Sequence, residues 1–162
     1  NGRGIKILLD AFIGLPDKYI VFMGFGPLFD MVNEYRKSYP NIFLKEAVPP
    51  GDLIAYTRTA DVGISLIENI CLSYYYALPN KVFEYSMAGV PLIVSDFPEM
   101  SSYVDHYKIG WTVNPEFNDL KNLVNAIDKP ALQQIKPNFK KVNEEISWEI
   151  EQERLVNVYN LN

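Results

Sequence analysis

The sequence predicts an α/β domain in which a parallel sheet carries helices on both faces. Three observations lead there. Short apolar runs recur along the chain, at Tyr19–Met23, Asn41–Leu44, Asp61–Leu66, Leu92–Ser95 and Gly110–Val113. Most of the segments between these runs carry apolar residues at helical spacing. Leu92-Ile93-Val94 shows no apolar–polar alternation, as a strand covered on both faces requires. Strands that alternate with helices form parallel sheets with right-handed crossovers. Ligands in such folds sit beyond the carboxyl ends of the strands.

The elements follow in order. Gly2-Arg3-Gly4 is a loop feeding a helix with Ile5, Leu8, Leu9 and Phe12 in phase, ending near Gly14 and Pro16. The first strand runs into Gly24-Phe25-Gly26-Pro27, and a helix follows through about Lys37. Strand, Gly-x-Gly, helix is a half-formed phosphate-loop signal, and the glycines serve equally to tighten a turn. After the second strand, Val48-Pro49-Pro50-Gly51 forms a turn and Asp52 opens a helix of about two turns. Ile67 to Leu78 has no period and reads as an irregular segment carrying Glu68, Asn69 and Tyr74-Tyr75-Tyr76. Phe97-Pro98-Glu99 starts a helix through about Val104, and Phe117 to Ile127 is amphipathic. Pro130 and Pro137 bracket a further helical piece, and Ser147 starts a tail helix to about Tyr159 with Trp148, Leu155 and Val156. The loops at the strand ends are Gly24–Pro27, Glu46–Pro50, Glu68–Pro79 and Asp96–Met100.

Composition narrows the function. The chain of 162 residues, 48% hydrophobic and 22% charged, is of the size and balance of one globular domain. A net charge of −5 argues against a nucleic-acid surface, which needs clustered Lys and Arg. No apolar run is long enough to cross a bilayer and no signal peptide is apparent, so a cytoplasmic setting is expected. The single cysteine, Cys71, rules out an internal disulfide and a cysteine-rich zinc site. His106 is the one histidine, so no multi-histidine metal centre is expected, and none of the catalytic arrangements built on histidine is persuasive.

The most informative stretch is Leu78 to Asp96, read as loop, short helix, tight stop and buried strand. Asn80 is placed to cap the helix, Gly89 to end it in a left-handed conformation, and Pro91 to forbid its continuation. Val82, Phe83 and Ser86 share the face to be buried; Lys81 and Glu84 share another. The helix would aim its free N–H groups and partial positive charge beyond the loop, where an anion can bind. The spacing alone favours a plainer alternative, in which Lys81 pairs with Glu84 and Glu84 complements the helix dipole.

Four stretches taken together resemble a known family. They are Gly-Arg-Gly-Ile with Leu-Leu-Asp-Ala-Phe, then Val-Phe-Met-Gly-Phe-Gly-Pro, then Ala-Asp-Val-Gly-Ile-Ser-Leu, and finally Pro-Asn-Lys-Val-Phe-Glu-Tyr-Ser-Met-Ala-Gly-Val-Pro-Leu-Ile-Val-Ser-Asp. The sequence resembles the C-terminal, donor-binding domain of GT-B glycosyltransferases, in the GT4 (group 1) branch with a Pro-Asn-Lys-x-Phe-Glu-Tyr motif. The resemblance implies a Rossmann-like domain over residues 1–162, one part of a two-domain enzyme. It implies a donor site in which Glu84 holds ribose hydroxyls and Arg3 contacts the diphosphate. Leu78, Asn80 and Lys81 would offer backbone N–H groups and one ammonium to the same diphosphate. Gly24 and Gly26 would line the cleft, and the backbone near Val48 would read the nucleobase. No metal or other cofactor is implied, because helix ends and basic side chains can stabilise the leaving diphosphate.

Two departures stand out. The first glutamate of the family's Glu-x7-Glu element falls on Tyr76. Family members also have a strand before the Gly-Arg-Gly loop, in the middle of the sheet. The sheet is therefore expected to lack its first strand, and either to close over the gap or to borrow a strand from a neighbouring molecule. The expected partners are a nucleotide-sugar donor, an N-terminal acceptor domain and, through that domain, a membrane surface; the tail helix would pack on that domain or on a second copy. The leading expectation is a retaining glycosyltransferase whose donor domain is inactive alone. The alternatives are a nucleotide-sugar 2-epimerase of the same fold and a non-catalytic binding or assembly module.

Overall fold

A computed structural model of the chain describes residues 2–159. The elements are α1 (Ile5–Ile13), β1 (Ile20–Met23), α2 (Phe29–Ser38), β2 (Ile42–Lys45), α3 (Leu53–Thr57), β3 (Gly63–Ser65), α4 (Leu72–Tyr75), α5 (Asn80–Ala88), β4 (Leu92–Ser95), α6 (Pro98–Tyr107), β5 (Gly110–Val113), α7 (Phe117–Ala126), α8 (Lys129–Ile135), α9 (Phe139–Glu145) and α10 (Trp148–Tyr159). Every strand pair is parallel.

The strands form two sheets, β1-β2 and β3-β4-β5. Ile20 stands opposite Ile42, Gly63 opposite Leu92 and Leu92 opposite Gly110. Neither β1 nor β3 has a ladder partner on its second edge among the described residues. The sheet therefore does not close over by direct β1–β3 pairing. What unites the two halves is side-chain packing.

Two apolar clusters make the core. The first joins Leu8, Leu9 and Phe12 of α1 to Ile20, Ile42, Leu66, Ile93 and Val113, with Leu120 and Val124 of α7 closing it. The second joins Val82 of α5, Leu92 and Val94 to Met100 and Val104 of α6 and to Phe139 and Val142 of α9. Alternate residues of β4 enter opposite clusters, because successive side chains of a strand point to opposite faces. Hence all four of its residues are buried, and the apolar run at Leu92 is explained. The β1-β2 pair is covered on one face only: Val21 and Phe43, opposite each other in register, are exposed.

Some boundaries differ from the sequence expectation. The Ile67–Leu78 segment contains the single-turn helix α4. Pro130 and Pro137 do bracket a helical piece, α8, which ends at Ile135; beyond it a 3-10 turn, Lys136–Asn138, leads into a separate helix, α9. Proline is tolerated there because the first turn of a helix has no intrahelical use for its N–H. α6 continues to Tyr107, three residues beyond Val104, and stops at Lys108 in the left-handed conformation (φ 53°). Ser147 starts the tail helix as expected, its Oγ accepting from Ile150 N at 3.3 Å. Leu155, Val158 and Tyr159 of that helix are exposed; the side chain of Trp148 lies outside the described residues.

Candidate active site

α5 is built on a buried floor. Val82 and Ser86 are fully buried, and Ser86 Oγ donates to Val82 O at 2.7 Å while accepting from Tyr103 Oη at 3.1 Å. Tyr85 lies against Gly63, where any β-carbon would enter its ring, and its hydroxyl donates to Ile64 O at 3.3 Å. Burial, and secondarily the charge of Glu84, push the Tyr85 hydroxyl up to about 12. Gly89 ends the helix at φ 70°, ψ 30°, with Val90 N donating to Tyr85 O and Gly89 N to Ser86 O.

The amino end of α5 differs from expectation. Asn80 does not cap; it is already the first helical residue, and Pro79 holds the cap position at φ −71°, ψ 151°. The proline ring fixes φ there, and the helix starts one residue earlier than an asparagine cap would have it. No side chain accepts from the first turn, so the end of the helix is uncapped. Lys81 is exposed and Glu84 half-buried. Neither enters an ion pair among the described residues, so the plainer alternative of a Lys81–Glu84 pair is not what the structure holds.

Arg3 lies elsewhere in sequence but on the loop that touches the approach to α5. Its guanidinium sits over the Tyr74 ring, 5.4 Å from the centroid. Gly4 N donates to Glu68 Oε1 at 3.1 Å, and Glu68 N donates to Gly2 O at 3.0 Å. The segment after β3 is tied in turn to the end of β4: Ser95 Oγ accepts from Ile67 N and donates to Ile67 O, each at 2.8 Å. From there the chain passes Tyr76, whose ring meets Tyr75 edge-on at 5.0 Å and which is 57% exposed, and Leu78, half-buried against the second cluster, before entering α5.

Gly24, Gly26 and Val48 stand at the carboxyl ends of the other sheet. Gly24 N donates to Lys45 O at 3.0 Å, so the glycine loop leaves beside the end of β2. Gly24 and Gly26 both take positive φ, 138° and 157°, with open space where a side chain would be. Val48 is half-buried in the turn before Pro50.

Arg3 is thus brought to the segment that supplies Tyr76, Leu78, Asn80, Lys81 and Glu84. Two cations and a carboxylate without ion-pair partners among the described residues, beside an uncapped helix end, can receive an anion together with hydroxyl groups. Among the described residues no three His, Cys, Asp or Glu side chains gather as metal ligands would. No helix of the described residues is long and apolar enough to cross a membrane. The roles of Glu68, Tyr74 and Ser95 are not foreseen by the sequence. The only local hint is polar and aromatic residues gathered just past buried strands.

A family model of the glucosyltransferase 3-like C-terminal domain matches residues 19–154. The chain belongs to that family. No curated relative matches the sequence. Among solved structures, this glucosyltransferase 3-like domain is similar to WaaG, a glycosyltransferase involved in lipopolysaccharide biosynthesis, with 13% identity and a TM-score of 0.70 over 96% of this chain and 43% of that one. It is also similar to the N-terminal domain of trehalose-6-phosphate phosphatase from Candida albicans, with 15% identity and a TM-score of 0.58 over 87% of this chain and 35% of that one. The chain spans less than half the length of either. At these identities the likeness is one of fold, and the fold is the Rossmann-like C-terminal half of a GT-B glycosyltransferase.

Proposed function

We propose that this domain binds the donor of a glycosyltransferase of the GT4 type. The protein that contains it moves a sugar from a nucleoside-diphosphate sugar to an acceptor with retention of configuration. The family's name supports glucose as the transferred sugar. One observation carries the reading: α5 presents an uncapped amino end, with Lys81 and Glu84 free of ion pairs, directly after a loop that also holds Arg3. A purely structural helix has no need of that arrangement.

In this reading the diphosphate lies between Arg3, Lys81 and the first-turn N–H groups of α5, with Asn80 and Leu78 shaping the approach. Charge develops on that diphosphate as the sugar–oxygen bond breaks, so preformed donors stabilise the transition state more than the ground state. Glu84 accepts from the ribose hydroxyls. The backbone near Val48 meets the base, and Gly24 and Gly26 allow close approach. Tyr76, exposed and standing where the motif has a glutamate, offers a hydroxyl to the sugar. The acceptor is bound by a further domain, and no metal takes part.

Calorimetric titration with UDP, GDP and ADP tests the proposal. Binding of one nucleotide, weakened about tenfold or more by Glu84→Ala, is the expected result. If none binds, and none binds to a longer chain carrying the preceding residues, the domain is an assembly module instead. Free epimer as the product of the complete enzyme would assign it to the 2-epimerases.

A further inference from the structure

We propose that Glu68 is a positioning residue for Arg3. With the Tyr74 ring, it holds the Gly2-Arg3-Gly4 loop in a single conformation before a diphosphate arrives. The inference rests on the donor-site reading above and adds a residue that the motif does not contain.

The two hydrogen bonds of Glu68 fall on either side of Arg3. Its backbone N–H donates to Gly2 O at 3.0 Å, and its carboxylate accepts from Gly4 N at 3.1 Å. One residue, distant in sequence, therefore pins both flanks of the arginine while leaving the arginine itself exposed. The loop needs such pinning. Gly2 and Gly4 take φ of 79° and 60°, a region that glycine enters freely and leaves as freely. Packing allows no substitute: a β-carbon on Gly2 would stand 2.5 Å from the Tyr74 ring, and one on Gly4 would stand 2.6 Å from Leu66. The same Tyr74 ring carries the guanidinium, so loop backbone and side chain share one support.

The chemistry of a carboxylate sharpens the inference. A negative charge next to a diphosphate site opposes binding, so Glu68 is not there for its charge on the ligand. Its value is the acceptor oxygen, and a charge-assisted bond to a backbone N–H is among the stronger available. Glu68→Gln keeps an acceptor and removes the charge; Glu68→Ala removes both.

The test measures binding of UDP, GDP and ADP to the chain and to Arg3→Ala, Glu68→Ala, Glu68→Gln and the Arg3→Ala/Glu68→Ala double variant. Glu68→Ala is expected to weaken the bound nucleotide roughly tenfold, as Arg3→Ala does, and the double variant no further, because both act through one contact. Glu68→Gln is expected to bind at least as tightly as the parent chain. Additive losses, or tighter binding by Glu68→Ala, overturn the proposal. A second readout needs no ligand: the Gly4 amide is expected to exchange at least about tenfold faster with solvent in Glu68→Ala and not in Glu68→Gln. Unchanged exchange in Glu68→Ala also overturns it. Absence of nucleotide binding by the parent chain counts against the donor-site reading alone, and Gly4 exchange then decides the role of Glu68.

Discussion

Tyr85 shows how one side chain links the floor of the site to its surface. Its ring occupies the space that Gly63 leaves and its hydroxyl is bonded to Ile64 O, while its neighbour Glu84 remains half-buried. Burial raises its ionisation to about 12, whereas in the unfolded chain a tyrosine ionises near 10. The folded state thus holds a proton that the unfolded state has already lost. Stability from this source is complete below about pH 10 and falls as the pH climbs towards 12, by roughly 2–3 kcal/mol. Urea unfolding at pH 8 and pH 11 should show about half of that loss in the parent chain, because pH 11 lies midway between the two ionisations, and a shallower one in Tyr85→Phe. At pH 8 the same variant is expected to cost about 1 kcal/mol for the missing hydroxyl bond.

At the scale of elements, two helix starts that look alike in sequence behave differently. Asp128 caps α8, its side chain accepting from Ala131 N at 2.9 Å, whereas Asn80 caps nothing. Asp128→Ala is expected to lower stability by about 1 kcal/mol and Asn80→Ala by much less, measured by denaturant midpoint. If Asn80→Ala nonetheless weakens nucleotide binding, its role is at the ligand and not in the helix. The pair also marks the limit of what the residues reveal. The strand–helix order, the stop at Gly89, the burial of β4 and the face shared by Lys81 and Glu84 were legible, because each depends on neighbours a few positions away. The conformation at Pro79 was not, since an asparagine before an apolar-periodic run signals a cap whether or not the preceding proline takes that place. Nor were the buried polar nodes. Asn41 donates to Phe12 O, Leu15 O and Lys18 O at 2.7, 3.0 and 3.0 Å, and Ser95 ties β4 to Ile67; partners so far along the chain leave no local period. Glu68 belongs with these: its loop read as irregular, and only the fold shows Arg3 beside it.

For the molecule as a whole, the division of the strands predicts uneven stability. β4 has a ladder on each side and side chains in both clusters, whereas β1 and β2 have only each other and are bare on one face. Amide exchange is expected to be slowest in β4 and its neighbours, and faster in Ile20–Met23 and Ile42–Lys45 by an order of magnitude or more. Uniform protection across all five strands would mean that the shared cluster alone makes the halves cooperative. The unpaired edges of β1 and β3 carry a practical consequence as well. Among the described residues the backbone donors and acceptors along that edge of β1, next to the bare Val21 and Phe43, have no ladder partner, and such a row is a template on which another extended peptide can add. The shelf life of purified material should therefore shorten as it is concentrated, with fibrillar or swapped species appearing first through β1.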